Sequence, residues 1–246
     1  MTGNSPTAAH AAEILERVRQ MRPRVHCLMN TVVQKFTADG ITVIGGIPSM
    51  TTSLEEIESF VTKADALTIN LGTLDAERRK VIRLAIEIAN ESGKPWIVDP
   101  VHVDYSPSRL DFARELIAQS PTIVRGNRAE MSLIGDVSDV VRIETGPVDH
   151  LRDKSRNVSI VNGHPWMAKV TGTGCLSGGV IAAFMAVEND ALTAAASALA
   201  VTGVSAELAA QRAKGPGTFE PAFLDALSEI SGEDIINHAR IEHEQG

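Results

Sequence analysis

The fold class follows from residues 66–100, which read ALTINLGTLDAERRKVIRLAIEIANESGKPWIVDP. Residues 66–71 and 96–98 are apolar runs of strand length. Between them, Asp75 can cap a helix that continues to Asn90 and ends before Ser92 and Gly93. A strand, a long helix and a second strand in this order are typical of a right-handed βαβ unit, whose two strands are parallel in one sheet.

The same alternation continues on both sides of this unit. Further strands are predicted at 25–29, 122–124, 140–143 and 158–161, and further helices at 6–21, 53–63, 108–118 and 221–230. The stretches 175–187 and 191–212 are rich in Ala and Gly and apolar most of the way round, so we expect two buried helices. The charged tail after Glu233 is predicted to be an exposed helix. The whole chain, residues 1–246, is therefore predicted to be one α/β domain with a central, mostly parallel sheet flanked by helices.

Composition excludes several classes of function. Hydrophobic residues make up 43% of the chain but aromatic residues only 4%, so the core must consist mainly of aliphatic side chains. A net charge of −8 argues against nucleic acid as a partner. Two cysteines suggest neither a disulfide framework nor a zinc site. No run approaches the roughly 20 apolar residues of a membrane span, and residues 1–10 do not resemble a secretory signal. We expect no membrane association and a cytoplasmic location.

Polar or glycine-containing segments follow four of the predicted strands, at 70–73, 99–101, 125–127 and 144–146. Ligands of parallel α/β sheets bind outside the carboxyl ends of the strands. Asp99 and Glu130 are candidates for holding Mg²⁺, which prefers a few carboxylates together with water and substrate phosphates. Glu130 could instead stabilise the first turn of its own helix.

The sharpest motif is residues 170–175, VTGTGC, directly before a long apolar helix. Glycines allow close approach of the backbone to an anion, and the N–H groups of a first helical turn stabilise negative charge. A Walker A loop is excluded because no Gly-Lys-Ser/Thr follows. The alternative is a glycine turn that only lets the helix pack closely. Cys175, at the helix start, should have a lowered pKa and could accept the proton of an attacking hydroxyl; alternatively it is a small side chain that fills space.

Taken in order, the motifs resemble the hydroxyethylthiazole kinase family over roughly residues 14–227. The matching segments are Val25-His26-Cys27 with Asn30, Pro48-Ser49-Met50, Ile69 to Leu74, Asp99-Pro100-Val101, Arg125-Gly126-Asn127 with Glu130, Thr145-Gly146 with Val148-Asp149, Asn162 to Pro165 with Met167, Val170 to Cys175, and Gly215 to Phe219. The resemblance implies ATP-dependent phosphorylation of the hydroxyl of 4-methyl-5-(2-hydroxyethyl)thiazole, in thiamine biosynthesis or salvage.

The resemblance also implies a ribokinase-like fold, a homotrimer with thiazole sites at subunit interfaces, and a role for each motif. Met50 and Gly172 would contact the thiazole alcohol, and Arg125 and Thr145 would bind ATP. Asp99 and Glu130 would hold Mg²⁺. Gly172, Thr173, Gly174 and Cys175 would form the anion hole, with Cys175 at the position where the wider superfamily usually has an aspartate base.

The sequence departs from the family pattern near the nucleotide. His102, Asp104 and Tyr105 follow Val101 where the family has Gly-x-Gly-Ala, and the connection from Gly135 to Val140 lacks about twenty residues. Asp153-Lys154 replaces an Asp-Gly, Met29 replaces a Thr, and Asp39 replaces an Asn. Two alternatives stay open: a non-catalytic member that binds a thiazole or related ligand, and a kinase for another small alcohol. A closed nucleotide cleft would favour the non-catalytic member.

Overall fold

A central sheet organises the chain. The computed structural model describes residues 5–137 and 140–244. Within these residues the sheet has nine strands in the order β2-β1-β3-β4-β5-β6-β7-β8-β9. The strands are β1 (Arg24–Leu28), β2 (Ile47–Ser49), β3 (Ala66–Asn70), β4 (Trp96–Asp99), β5 (Ile123–Asn127), β6 (Val141–Thr145), β7 (Asp149–Arg152), β8 (Asn157–Ile160) and β9 (Ile241–Glu244).

The first six strands are parallel, and the pairs β6–β7, β7–β8 and β8–β9 are antiparallel. The parallel part contains the βαβ unit of residues 66–100, in which β3 and β4 are neighbours as predicted. The expectation of a mostly parallel sheet in an α/β fold is therefore confirmed. The antiparallel part is possible because short connections join β6 to β7 and β7 to β8, where a parallel pair would need a long crossover.

Helices cover both faces of the sheet. The helices are α1 (Ala8–Met21), α2 (Gln34–Val43), α3 (Ile57–Lys63), α4 (Ala76–Glu91), α5 (Pro107–Ile117), α6 (Arg128–Ile134), α7 (Thr173–Met185), α8 (Ala191–Arg212), α9 (Pro216–Glu229) and α10 (Gly232–His238), with a 3₁₀ helix at Pro165–Lys169. One apolar core lies between the sheet and α1, α2 and α7–α10, and a second lies under α3–α6. Successive strand residues alternate between them: Ile97 belongs to the first core, whereas Trp96 and Val98 belong to the second. This alternation explains why the parallel strands are continuously apolar.

Helix α8 is long and apolar enough, by length and composition, to cross a membrane. The sequence predicts no membrane span, so this helix needs a separate explanation. However, 83% of the qualifying window is buried inside the fold, and α8 packs against α1, α7 and α9. This burial identifies α8 as a core helix, which agrees with its predicted position.

Three strands were not predicted: β2, β7 and β9. They are only three or four residues long, and β2 and β9 form the two edges of the sheet within the described residues. The charged tail is a helix only as far as His238, since β9 then pairs with β8. The shortened connection from Gly135 to Val140 includes residues 138 and 139, which lie outside the described residues.

Candidate active site

Polar residues end four adjacent parallel strands at the same edge of the sheet. Asn70 at the end of β3 is level with Asp99 at the end of β4, and Asn127 at the end of β5 is level with Thr145 at the end of β6. The parallel register brings these residues together although up to 75 positions separate them in the sequence. The predicted location of a ligand site at the carboxyl ends therefore coincides with a row of polar side chains.

Arg125 and Asp99 form a buried ion pair at the centre of this row. The distance from Arg125 Nη1 to Asp99 Oδ2 is 3.1 Å. Burial raises the pKa of Asp99 to about 6, although Arg125 opposes the rise, and nearby Glu130 adds to it. Arg125 Nε is buried and has no hydrogen-bond partner among the described residues. Burial therefore affects the protonation of Asp99 more than its ion pair with Arg125 does.

A cavity of about 610 Å³ opens beside this pair. Its wall includes Arg125 and Thr145 from the strand ends and Thr173 and Gly174 from the start of α7. Its further lining residues are Asn127, Gly146, Pro147, Asp149, Asn162, Gly163, His164, Pro165, Met167, Ala168, Ser177, Leu199, Thr202 and Gly203. The volume lies within the usual range of small-molecule sites. Neither His102 nor Asp104 lines the cavity, so the unusual loop after Val101 does not close it.

The glycine motif forms a turn that starts α7 with its N–H groups towards this region. Gly172 is the N-cap residue in a left-handed conformation, with φ of 99°. A Cβ at Gly172 would lie 2.8 Å from Val33 Cγ1, so both backbone conformation and space require glycine. A Cβ at Gly174 would lie 3.4 Å from Arg125 Nη2. The helix start and the Arg125 guanidinium are therefore neighbours in the wall of one cavity, as an anion site requires.

Cys175 lies in the first turn of α7 and contacts two asparagines from the strand ends. Its Sγ accepts hydrogen bonds from Asn70 Nδ2 at 3.3 Å and Asn30 Nδ2 at 3.8 Å. Burial raises the pKa of Cys175 to about 12, and the charge of Asp99 adds to the rise. The expectation of a lowered pKa is therefore wrong, because desolvation and a carboxylate outweigh the helix dipole. At neutral pH the thiol is protonated.

Glu130 stabilises the first turn of its own helix, which is the alternative that the sequence left open beside a Mg²⁺ site. It starts α6 through a reciprocal capping box, in which Glu130 Oε2 accepts a hydrogen bond from the Asn127 N–H at 2.8 Å. Its Oε1 accepts a hydrogen bond from the His102 N–H, also at 2.8 Å. It is also close enough to Asp99 to raise the pKa of that residue. The side chains of His102 and Asp104 offer further ligand atoms within 4.8 Å of Glu130, but both are exposed.

Met50 and Gly172 do not line the cavity. Met50 directly follows β2, is half-buried, and packs against the larger apolar core. Gly172 packs against Val33 and Phe36 at the start of α2. The two residues assigned to the alcohol are therefore not part of the cavity wall that contains Arg125 and Thr145.

Sequence reasoning did not identify Asn70, Asp149 and Arg78 as individual site residues. Asn70 lay in a strand-end segment that was singled out, and Asp149 lay in a segment carrying the family resemblance. Burial raises the pKa of Asp149, which lines the cavity. The sequence does not distinguish Arg78, because an arginine within a helix is usually exposed to solvent.

Arg78 is nevertheless buried and binds the carboxyl ends of β1 and β3. Its guanidinium donates to the backbone oxygens of Leu28 at 3.4 Å, Asn70 at 3.1 Å and Met29. The Asp75 side chain caps α4 by accepting from the Arg78 N–H at 2.8 Å, as predicted for this helix start. Arg78 thus fixes the spacing of the strand ends that carry Asn30 and Asn70.

Comparison with known proteins gives one consistent result. The chain matches the hydroxyethylthiazole kinase family over residues 15–142 and 134–233. The two matched stretches overlap at 134–142, around the connection that the sequence predicts to be shortened. A protein of Agrobacterium fabrum named "Probable hydroxyethylthiazole kinase" is 96% identical over 246 residues, which cover all of both chains.

Two solved structures extend this similarity to the fold. A hydroxyethylthiazole kinase from Pyrococcus horikoshii is 34% identical with a TM-score of 0.91, over 96% of this chain and 99% of that one. A ribokinase-like superfamily protein from Enterococcus faecalis has a TM-score of 0.66 at 14% identity, over 90% and 95% of the two chains. The latter likeness concerns the fold alone, which is ribokinase-like.

Proposed function

Because the chain belongs to the hydroxyethylthiazole kinase family, we propose that it phosphorylates the hydroxyl of 4-methyl-5-(2-hydroxyethyl)thiazole with ATP. The hydroxyl oxygen forms a bond to the γ-phosphorus, and the bond from that phosphorus to the bridging oxygen breaks. ADP leaves, and the hydroxyl proton is released. The product is the thiazole phosphate, a precursor suited to thiamine biosynthesis or salvage.

The observation that carries this proposal is the position of Arg125. Arg125 is in the wall of the 610 Å³ cavity, and its Nη2 lies beside Gly174 at the start of α7. A phosphate group in the cavity would accept hydrogen bonds from the guanidinium and from the N–H groups of Thr173, Gly174 and Cys175 in the first turn of α7. We assign Arg125 and Thr145 to ATP, and the turn from Gly172 to Cys175 to the anion hole.

Asp99 and Glu130 are suitable ligands for a divalent cation by charge, although both oxygens of Glu130 already accept hydrogen bonds. Burial raises the pKa of Asp99, Arg125 opposes the rise, and the nearby negative charge of Glu130 adds to it, so a cation beside both carboxylates would favour their ionised forms. Each Glu130 oxygen already accepts one backbone N–H, although a carboxylate oxygen can accept more than one partner. We assign Asp99 and Glu130 to Mg²⁺, which when bound would neutralise phosphate charge during transfer.

The alcohol is assigned to the region of Met50 and Gly172, with Cys175 as the catalytic contact. Cys175 is the last residue of the turn assigned to the anion hole, and its Sγ contacts Asn30 and Asn70 at the strand ends. Because its thiol is protonated at neutral pH, its proposed role is to orient the reacting hydroxyl rather than to remove its proton. Phosphoryl transfer depends mainly on positioning and charge stabilisation, so a strong base is not required.

A homotrimer with shared thiazole sites is the proposed assembly. Three large apolar side chains within ten positions of Met50 in the sequence are 38–44% exposed: Ile47, Leu54 and Phe60. Such a cluster beside an edge strand supports contact with another copy of the chain. Sedimentation velocity should give three times the monomer mass, and substituting Phe60 by Glu should lower it.

The proposed location is the cytoplasm, and the proposed functional unit is a single domain spanning residues 1–246. ATP is available in the cytoplasm, and the two free thiols, Cys27 and Cys175, suit a reducing compartment. Neither nucleic acid nor a membrane is proposed as a partner, in keeping with the net charge of −8 and the burial of α8.

A direct assay tests the function. Purified protein, ATP–Mg²⁺ and the thiazole alcohol should give ADP and thiazole phosphate in equal amounts, measured by chromatography and mass spectrometry. Absence of product together with absence of ATP binding by calorimetry would overturn the proposal. Arg125 and Thr145 line an open cavity, which supports a kinase, whereas Asp99 and Glu130 are not among its lining residues. Comparing pyridoxal and other small alcohols at equal concentration tests the alternative substrates.

A further inference from the structure

The imidazole of His26 forms hydrogen bonds with the two sequence neighbours of Met50, Ser49 and Thr51. His26 Nδ1 lies 2.9 Å from Ser49 Oγ, and Nε2 lies 3.2 Å from the backbone oxygen of Thr51. His26 is fully buried in β1, and its ring contacts Phe60 of α3 with 5.7 Å between ring centroids. One side chain thus links β1, the end of β2 and the first helix after it.

The bonds fix the tautomer of this ring. A backbone carbonyl only accepts, so Nε2 carries the proton and Nδ1 accepts from the Ser49 hydroxyl. Burial lowers the pKa of His26 to about 4, so the ring is neutral at physiological pH and keeps this arrangement. A neutral imidazole offers one donor and one acceptor in fixed, diverging directions, which glutamine or asparagine reproduces only in part.

The segment held by His26 has little other support. Residues 50–53 are neither helix nor strand, and β2 is only three residues long. The Thr51 hydroxyl donates to Glu56 Oε2 at 2.7 Å and accepts from the Ser53 N–H at 3.3 Å. These bonds order the residues after Met50, whereas the two His26 bonds hold the residues on either side of it.

We propose that His26 is a positioning residue of the alcohol site: it fixes Ser49 and Thr51 so that Met50 meets the thiazole at a set position. The inference rests on the proposed function, because Met50 is assigned to the alcohol there. His26 itself does not touch the reacting atoms. Its loss should therefore weaken the alcohol complex and spare the nucleotide complex, because neither His26 nor Met50 lines the cavity that contains Arg125 and Thr145.

Steady-state kinetics with both substrates separate this role from a general loss of structure. We expect His26→Leu to raise the KM for the thiazole alcohol by about tenfold and to change the KM for ATP by less than about twofold. His26→Gln, which keeps one N–H donor, should raise the KM for the alcohol by about threefold. Ser49→Ala removes the partner of His26 Nδ1. Combined with either His26 variant, it should raise the KM for the alcohol little further, because both changes remove the same hydrogen bond.

A matched pair elsewhere in the sheet provides the control. His150 Nδ1 lies 2.9 Å from Ser159 Oγ, the same kind of bond between β7 and β8. His150→Gln should leave both KM values within about twofold of the wild-type values. Circular dichroism melting of each variant reports whether it is folded.

Oxidation of Met50 gives a second readout that does not need activity. Dilute peroxide converts exposed methionine to the sulfoxide, which mass spectrometry measures at each site. The rate at Met50, relative to that at the exposed Met21, should rise by about threefold in His26→Leu because the segment is released. If His26→Leu does not fold, the relative oxidation rate of Met50 is measured in His26→Gln and Ser49→Ala instead, and it should rise there too.

The possible outcomes separate the two proposals. A wild-type protein that does not phosphorylate the alcohol overturns the proposed function, and the oxidation rates then decide whether His26 fixes Met50. An active wild type with folded variants whose KM for the alcohol is unchanged overturns the inference alone. Equal rises in both KM values would also overturn it, since they indicate a general structural role.

Discussion

Arg125 Nη1 lies 3.1 Å from Asp99 Oδ2 across two neighbouring strands, and the two side chains are only 7% and 8% exposed. The pair is not closed: Arg125 Nε lacks a partner among the described residues, and Asp99 keeps a raised pKa beside Glu130. Arg125 also lines the cavity beside the start of α7, and Glu130 lies close enough to raise the pKa of Asp99. This arrangement supports the proposed assignment of Arg125 to ATP and of Asp99 and Glu130 to Mg²⁺.

Replacing Arg125 by methionine should impair both ATP binding and folding. The variant loses its proposed phosphate ligand and leaves Asp99 buried without its cation, so we expect a rise in the KM for ATP of at least about tenfold. The free energy of unfolding at pH 7.5 should fall by about 3 kcal/mol. Initial rates and urea denaturation measure the two effects.

The control for this variant is Arg83→Met. Arg83 pairs with Glu115 at 2.6 Å, but both side chains are nearly half exposed, so its loss should cost less than about 1 kcal/mol. Unchanged ATP kinetics in folded Arg125→Met would remove Arg125 from the nucleotide site.

Asp99 should make the free energy of unfolding depend on pH. Its pKa in the folded protein, about 6, is above the ordinary value of 3.8, so the folded state binds the proton more tightly than the unfolded state. The free energy of unfolding should therefore fall as the pH rises from about 4 to about 6, by about 3 kcal/mol. Asp99→Asn cannot ionise and should lack this contribution.

Urea denaturation of both proteins at several pH values tests this linkage. The wild type should lose stability relative to Asp99→Asn as the pH rises through this window, because contributions from other groups cancel in the difference. A difference that is constant between pH 4.5 and 7.5 would show that Asp99 has an ordinary pKa.

Cys175→Ala should lower kcat by about tenfold, less than the 10²- to 10⁴-fold expected for loss of a general base. The thiol is protonated at neutral pH, so its contribution is the orientation of the hydroxyl. The KM for the thiazole alcohol should change less than kcat. Cys27→Ala, at the other and fully buried cysteine, serves as the comparison. Equal changes in kcat and KM would indicate a packing role for Cys175.

Gly172→Ala should destabilise the start of α7 and reduce activity. A methyl group there would lie 2.8 Å from Val33 Cγ1, and φ is 99°. We expect a loss of about 2–4 kcal/mol in the free energy of unfolding. Gly93 also has positive φ, but a Cβ there would have no described atom within 4 Å, so Gly93→Ala should cost about 1 kcal/mol. Equal losses in the two variants would show that the contact with Val33 adds nothing to the cost of positive φ.

The parallel half of the fold was predictable because each strand is buried on both faces and is read as a short apolar run. Asn70 and Asp99 could be placed at one sheet edge for the same reason. The strands β2 and β9 were missed because edge strands of three or four residues need neither apolar faces nor high β-propensity. Their existence depends on backbone pairing with β1 and β8, which the local sequence does not encode.

The site was predictable in its residue types but not in its energetics. The glycine motif before α7 indicated an anion turn, and the structure brings it beside Arg125. The pKa of Cys175 depends instead on its burial and on Asp99, which lies 76 positions away in the sequence. Met50 gave no chemical signal, since only its place in the family pattern assigned it to the alcohol.

The three backbone carbonyls that hold Arg78 carry no titratable charge. Unlike the carboxylate that pairs with Arg83 at the surface, they bind the guanidinium equally in acid and alkali, and mobile ions have little access to them. High ionic strength will therefore weaken the outer ion pairs while the ends of β1 and β3 keep their spacing. The strand ends that carry the candidate site should therefore keep their geometry at salt concentrations that weaken the surface ion pairs.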